Sequence, residues 1–90
     1  MFKIIGPNEV ESDLGYSVRR ADRFLLIYAE GDHVLHIEVE PGDGLAIYSS
    51  TLRSWLPPYD NEVVGVRERE QILARIVDAL HYMGQRTVVA

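Results

Sequence analysis

The feature that most constrains the fold of this chain is a change in the spacing of its apolar residues. In the first half of the chain, apolar and polar side chains alternate, which is the two-residue period of a strand with one buried face. From residue 66 to residue 83 the apolar residues recur every three to four positions, which is the period of an amphipathic helix. The change predicts an α+β protein in which one long C-terminal helix packs on one face of a sheet.

The strands are predicted between turn signals rich in glycine, proline and aspartate. Leu35, Ile37 and Val39 alternate with polar residues in segment 33–40, which is typical of a half-buried strand. Segment 24–29 is apolar on both sides, which is typical of a central strand covered on both faces. Shorter strands are predicted at residues 2–5, 16–20, 45–48 and 87–89, and residues 9–13 are weakly patterned. Together these segments predict an antiparallel sheet of five or six strands, including a short final strand after the helix.

The predicted helix is bounded by two glycines. Gly65 is placed to act as its N-cap, Glu68 lies in the first turn, and Gly84 is placed to end the helix. Its apolar stripe consists of Ile72, Leu73, Ile76, Val77, Leu80 and Met83.

A single helix covers only one face of a sheet, so part of the apolar surface needs another cover. If the stripe buries the side of Leu35, then Phe24, Leu26 and Tyr28 lie outside its reach. The expected cover is the curvature of the sheet together with the loop at residues 55–59, or else another chain.

Composition narrows the function. The chain has 90 residues, 14 acidic and 9 basic side chains, a net charge of −5 and no cysteine. A single domain spanning residues 1–90 is expected, without disulfides and without an apolar run near the ~20 residues that span a bilayer. The acidic balance argues against nucleic acid and permits a basic partner. The expected location is the cytoplasm, with no membrane partner.

Catalytic and metal-binding patterns are weak. His33 and His36 are three apart, which on a strand places them on opposite faces, where they cannot share a metal ion. Glu38 and Glu40 share a strand face. They form either a carboxylate pair for a divalent cation or acid–base chemistry, or only the solvated side of the strand. There is no nucleophile elbow and no phosphate-binding loop. No catalytic, metal or cofactor-binding residue is therefore assigned and no cofactor is expected, although a small enzymatic or ligand-binding domain stays open as an alternative.

The segment between sheet and helix has the chemistry of a protein interface. Trp55, Pro57, Pro58 and Tyr59 combine large apolar area with few rotamers and polar tips. Trp55 has two interpretations: it packs back to close the core, or it is exposed as an anchor. Tyr59 and Asp60 are expected to be the exposed pair.

The same segment, followed into the helix, resembles the bacterial polymorphic-toxin immunity protein 74 family. The resemblance is carried by Tyr48-Ser49-Ser50, by Trp55-x-Pro57-Pro58, by Glu68-x-x-x-Ile72-Leu73-x-x-Ile76 and by Gly84 before a final strand. It implies a small protein that binds and neutralises a toxin made by the same or a neighbouring cell.

The leading hypothesis is an immunity protein that forms a stoichiometric complex with a toxin effector domain. The residues predicted to contact this partner are Tyr28, Glu38, Trp55, Tyr59, Asp60 and Glu62. The main alternative is a structural homo-oligomer, such as a homodimer formed through an uncovered sheet face or an edge strand.

Overall fold

The strands lie side by side in the order in which they occur along the chain. A computed structural model describes all 90 residues. Its elements are β1 (Phe2–Gly6), β2 (Glu9–Ser12), β3 (Tyr16–Asp22), β4 (Leu25–Glu30), β5 (His33–Pro41), β6 (Leu45–Ile47), a 3₁₀ turn (Ser49–Thr51), α1 (Val66–Tyr82) and β7 (Thr87–Val89). The chain is thus α+β with one α-helix, as the change of period predicted.

The sheet has seven strands rather than five or six, and it is not wholly antiparallel. Strands β1 to β6 form an antiparallel meander, but β7 pairs parallel to β6. The parallel pairing follows from the crossover, since the loop and helix between β6 and β7 carry the chain back to the same end of the sheet. Strand β2 escaped firm prediction because Val10 is its only apolar residue, so no alternation is visible in the sequence.

Strands β4 and β5 turn their buried side chains to the same face. Leu26 stands opposite Ile37 and Tyr28 opposite Leu35 in the antiparallel register, and all four are fully buried. The expectation that Leu26 and Tyr28 lie beyond the reach of the helix was therefore wrong. Phe24 precedes the strand and is 57% exposed.

One core lies between this inner face and the helix. It consists of 17 buried residues, which include Ile72, Ile76, Ala79 and Leu80 from α1 and Trp55 from the preceding loop. Leu73, Val77 and Met83 of the predicted stripe pack at its border. The helix is neither long nor apolar enough to cross a membrane.

Both helix ends lie where the glycines predicted them. Gly65 is the N-cap, without a side-chain hydrogen bond, and Glu68 is in the first turn. At the other end Gly84 has φ 82°, a left-handed conformation that other residues adopt at a cost. The Gly84 N–H donates to the His81 carbonyl (2.9 Å) and the Gln85 N–H donates to that of Leu80 (2.8 Å). These two bonds form a Schellman motif, which ends the helix.

The helix–sheet core can be tested by comparing two isoleucines. Ile76→Ala should lower the free energy of unfolding by about 2–5 kcal/mol, because this side chain is fully buried between helix and sheet. Ile4→Ala, at a position 69% exposed, should change it by less than about 0.5 kcal/mol. Urea unfolding of both variants measures the difference, and equal losses would contradict this placement of the core.

Candidate functional site

The segment between β6 and α1 forms a closed surface loop, defined here as residues 54–63. An antiparallel bridge joins Ser54 to Val63 and brings the two ends together. Within the loop the Tyr59 N–H donates to the Leu56 carbonyl (3.1 Å) and the Glu62 N–H donates to the Tyr59 carbonyl (3.0 Å). The loop is therefore a compact structure with its own backbone hydrogen bonds, of the kind called an Ω-loop.

Proline chemistry explains why this segment leaves the sheet. Pro57 and Pro58 have no N–H to donate to a strand ladder, and the peptide bond between them is cis. Just before the prolines, the Leu56 N–H donates a hydrogen bond to the Val34 carbonyl of β5 (2.7 Å), which is the last backbone contact with the sheet in this segment. Both prolines lie exposed at the surface. A 3₁₀ turn over Ser49–Thr51 precedes the loop.

His33 at the start of β5 holds the 54–63 loop against the sheet. Its ring stacks on Tyr59 with centroids 3.8 Å apart and planes 16° apart. It meets Trp55 edge to face at 5.0 Å. Its Nε2 lies 3.1 Å from both carboxylate oxygens of Glu62. One histidine thus contacts three residues of the loop.

The loop contacts continue into a row of aromatic side chains along the inner face. Apart from the closer His33–Tyr59 stack, neighbouring ring centroids lie 5.0 to 6.3 Å apart, within the range of favourable aromatic pairs. The row runs through Tyr82, Phe2, Tyr16, Tyr28, Trp55, His33 and Tyr59. The loop is therefore connected to the core by continuous aromatic packing.

Tyr28 lies in the middle of this row, and its hydroxyl is hydrogen-bonded to two charged side chains. Its hydroxyl donates to Glu30 (2.7 Å) and accepts from the Arg75 guanidinium (3.0 Å). Arg75 also pairs with Glu30 (3.0 Å) and lies 4.8 Å from the centroid of the Tyr16 ring. Burial raises the pKa of the Tyr28 hydroxyl far above its ordinary value, with Glu30 acting in the same direction and Arg75 against it. The phenol is neutral in the physiological range and acts as a structural donor and acceptor.

The predicted partner-binding residues occupy three different settings. Tyr28 is fully buried and Trp55 is 6% exposed, so Trp55 packs back onto the core, which was the first of its two interpretations. Tyr59 is half-buried, and Asp60 and Glu62 are exposed on the 54–63 loop.

Glu38 lies apart from the loop residues, on the opposite face of β5. The side chain of His33 shares the inner face with Leu35, whereas Glu38 stands opposite Leu25 on the outer face. Glu38 is five positions after His33 along the strand, which corresponds to roughly 16 Å at the rise of a β-strand. The structure therefore brings together Trp55, Tyr59 and Glu62 but not Glu38.

Sequence reasoning missed His33 and Arg75 as parts of the site. From the sequence, His33 was considered only as a metal ligand, although its odd-numbered position places it on the same side as Leu35 and Ile37. Arg75 does not belong to the predicted apolar stripe, but it follows the buried Ile72 by one turn and its side chain is only 20% exposed. Its partners Tyr28 and Glu30 lie on a strand that is distant in sequence, so no local pattern indicated the contact.

The two strand carboxylates do not form a reaction centre with other groups. No group of three or more histidine, cysteine, aspartate or glutamate side chains is arranged to hold a metal ion. Glu38 and Glu40 are exposed, and Glu40 accepts a hydrogen bond from the Tyr48 hydroxyl. That bond raises the pKa of Tyr48.

The fold and the site define a small α+β protein in which a helix and a loop cover one face of a curled sheet. The chain belongs to the Immunity protein 74 family, whose model matches residues 26–89. The match confirms the resemblance drawn from the aromatic–proline segment and the helix, and it extends back into β4. The family description makes the chain an immunity protein, a class that acts against polymorphic toxins. No curated protein sequence and no solved structure matches the chain.

The anchoring role of the Tyr28 hydroxyl can be tested by removing that one oxygen. Tyr28→Phe should lower the free energy of unfolding by about 1–3 kcal/mol, because Glu30 and Arg75 lose a partner in a part-buried setting. Tyr82→Phe is the matched control, since Tyr82 is 51% exposed, and it should change stability by less than about 0.5 kcal/mol. Urea unfolding decides, and an unchanged Tyr28→Phe midpoint would show that the hydroxyl is dispensable.

Proposed function

We propose that this protein binds the effector domain of a cognate polymorphic toxin and neutralises it by forming a stoichiometric complex in the cytoplasm. Membership of the immunity family supports the class of partner. The observation that carries the proposal is the 54–63 loop, which projects polar and apolar contact groups from a rigidly held base.

The exposed part of the loop has the composition of a recognition surface. Asp60 and Glu62 supply carboxylates, and Val63 is 89% exposed. Tyr59 adds a half-buried ring beside them. A large aromatic, an exposed aliphatic and two acids suit a partner surface that combines apolar and basic groups.

The inner part of the loop reduces the entropy lost on binding. The Ser54–Val63 bridge, the stack on His33 and the burial of Trp55 order the loop before any partner arrives. Ordering a flexible loop at an interface costs about 0.5–1.5 kcal/mol for each immobilised side chain. In this proposal Trp55 and Tyr28 contribute by positioning the loop, while Tyr59, Asp60 and Glu62 touch the partner.

Net charge favours a basic partner over an acidic one. The chain carries −5, and long-range attraction between an acidic inhibitor and a basic domain raises the association rate. Toxin domains that act on nucleic acids are commonly basic for the same physical reason, since they must bind phosphates.

The function is tested with the C-terminal effector domain of a large toxin, chosen from genes that neighbour this one. Cells that express the effector domain should survive when this protein is co-expressed. The two purified proteins should co-elute as a complex of fixed stoichiometry. Failure of the wild-type protein to rescue the cells and to bind the domain would overturn the proposal.

The contribution of the loop is tested by truncating its tyrosine. Tyr59→Ala should weaken binding about tenfold or more, the range of an aromatic interface residue, and should reduce rescue. Tyr82→Ala is the matched control, because Tyr82 is also a surface tyrosine that packs on another aromatic ring, but at the far end of the row. Calorimetric titration measures both affinities, and circular dichroism confirms that both variants fold. Equal affinity of the two variants would place the contact elsewhere.

Self-association through an edge strand is a second candidate function, favoured by the exposed and uncharged side chains of β7. This strand is uncharged, and its Val88 and Val89 are 59% and 52% exposed. The other edge, β1, carries Lys3 and a register shift between Ile4 and Gly6, both of which discourage edge pairing.

Light scattering discriminates this second candidate. The wild-type protein should show a dimer mass at micromolar concentration, and Val88→Lys should shift it to the monomer by placing a charge on the edge. A strictly monomeric wild-type protein would remove self-association through β7.

A further inference from the structure

The outer face of the sheet has no covering element. All strand side chains of the buried core point to the inner face, where α1 and the 54–63 loop lie. The alternate residues of the central strands form a half-buried aliphatic surface on the outer face. They are Leu25, Ile27 and Ala29 of β4, Val34 of β5 and Ala46 of β6.

Charged residues divide this outer face into two halves of different character. On β1 to β3 two cross-strand pairs join opposite charges, Lys3 with Glu11 and Glu9 with Arg19, whereas Asp22 at the end of β3 stands opposite Leu25. On β5 the neighbours are uncharged, because Glu38 stands opposite Leu25 and Glu40 opposite Ala46. None of the three ion pairs of the chain involves Glu38 or Glu40. Glu38 and Glu40 on the β5 half therefore have neither a cation opposite them across the strands nor an ion-pair partner.

Two aromatic rings border these carboxylates. Phe24, Glu38, Val39, Glu40 and Tyr48 line one open groove. Phe24 is 57% exposed, and the Arg23 guanidinium already lies 5.6 Å from its ring centroid, which shows that a cation can approach this ring.

We propose that the groove of Phe24, Glu38, Glu40 and Tyr48 is a contact site for arginine or lysine side chains of the bound toxin domain. This inference rests on the proposed function and adds the chemistry of the partner to it. Glu38 and Glu40 point the same way and are roughly 7 Å apart along the strand. Each can accept hydrogen bonds from a guanidinium or ammonium, while the rings pack against the aliphatic stem.

Charge selects this occupant over others. A second copy of the chain facing the groove with its own would bring four carboxylates together, which is repulsive. A divalent cation would find only these two carboxylates, and the residues form no metal-binding group. A phosphate-bearing ligand would meet like charge. A basic protein surface satisfies both the charge and the aromatic rings.

The groove and the 54–63 loop are close enough to share one partner. After β6 the chain follows the edge of β5, where the Tyr48 N–H donates to the Glu38 carbonyl (3.0 Å) and the Leu56 N–H donates to that of Val34 (2.7 Å). Thr51 lies between them and accepts from the Glu38 N–H (2.9 Å). Glu38 and Val34 are roughly 13 Å apart along β5. A partner that buries about 800 Å² on this chain can cover both around this edge.

The test removes the charges and keeps the hydrogen-bonding shape. The double variant E38Q/E40Q is compared with E9Q/E11Q, which removes the same number of charges from the compensated half of the outer face. Each is titrated with the same toxin effector domain, and association rates are measured at low and high salt.

E38Q/E40Q should bind about tenfold more weakly or worse, with a smaller salt dependence of the association rate, and E9Q/E11Q should stay within about twofold of wild type. If the wild-type protein binds and E38Q/E40Q binds equally well, this site is overturned and the proposed function stands. If both double variants lose affinity equally, only net charge matters and the site is likewise overturned. If the wild-type protein neither binds nor rescues, both proposals fall.

Discussion

The packing of the α1 stripe onto the inner face of the sheet is the interaction on which the other features of this structure depend. Ile72, Ile76 and Leu80 meet the buried side chains of the central strands, and together they form the core. Because the chain has only one helix, this contact also decides which face is covered and which stays open. The parallel pairing of β7 follows from it, since the helix carries the chain back across the sheet.

Aromatic packing then connects the core to the surface loop. Tyr28 contacts Trp55, and Trp55 contacts His33, which holds Tyr59 and Glu62. The buried rings and the exposed contact groups thus belong to one arrangement in which each has a distinct task. In the proposed complex, buried residues such as Trp55 contribute to binding by setting the position of the residues that touch the partner.

Part of the acidic charge of the chain is concentrated on the open outer face of the sheet. A net charge of −5 spread evenly over the surface would only keep the protein soluble and steer encounters. On the outer face, however, Glu9 and Glu11 of β2 stand opposite cations, whereas Glu38 and Glu40 of β5 do not. Complementarity to a basic partner is therefore concentrated beside β5 and on the neighbouring 54–63 loop, where the proposed contacts lie.

Local patterns in the sequence determined the elements of this protein. The alternation in residues 33–40 defined β5, the spacing from Ile72 to Leu80 defined the helix, and Gly65 and Gly84 marked its ends, since period and capping act over a few residues. The aromatic–proline segment, together with the helix pattern that follows it, also indicated the family.

Only the tertiary structure decided how these elements combine. The register between β4 and β5 placed Tyr28 on the inner face, although apolar residues on both sides of β4 left its orientation open. Likewise, Arg75 is 45 residues from Glu30 and their pairing has no local signal. Which of several exposed acids lacks a neighbouring cation depends on cross-strand partners. These features depend on contacts between residues distant in sequence, which no local period encodes.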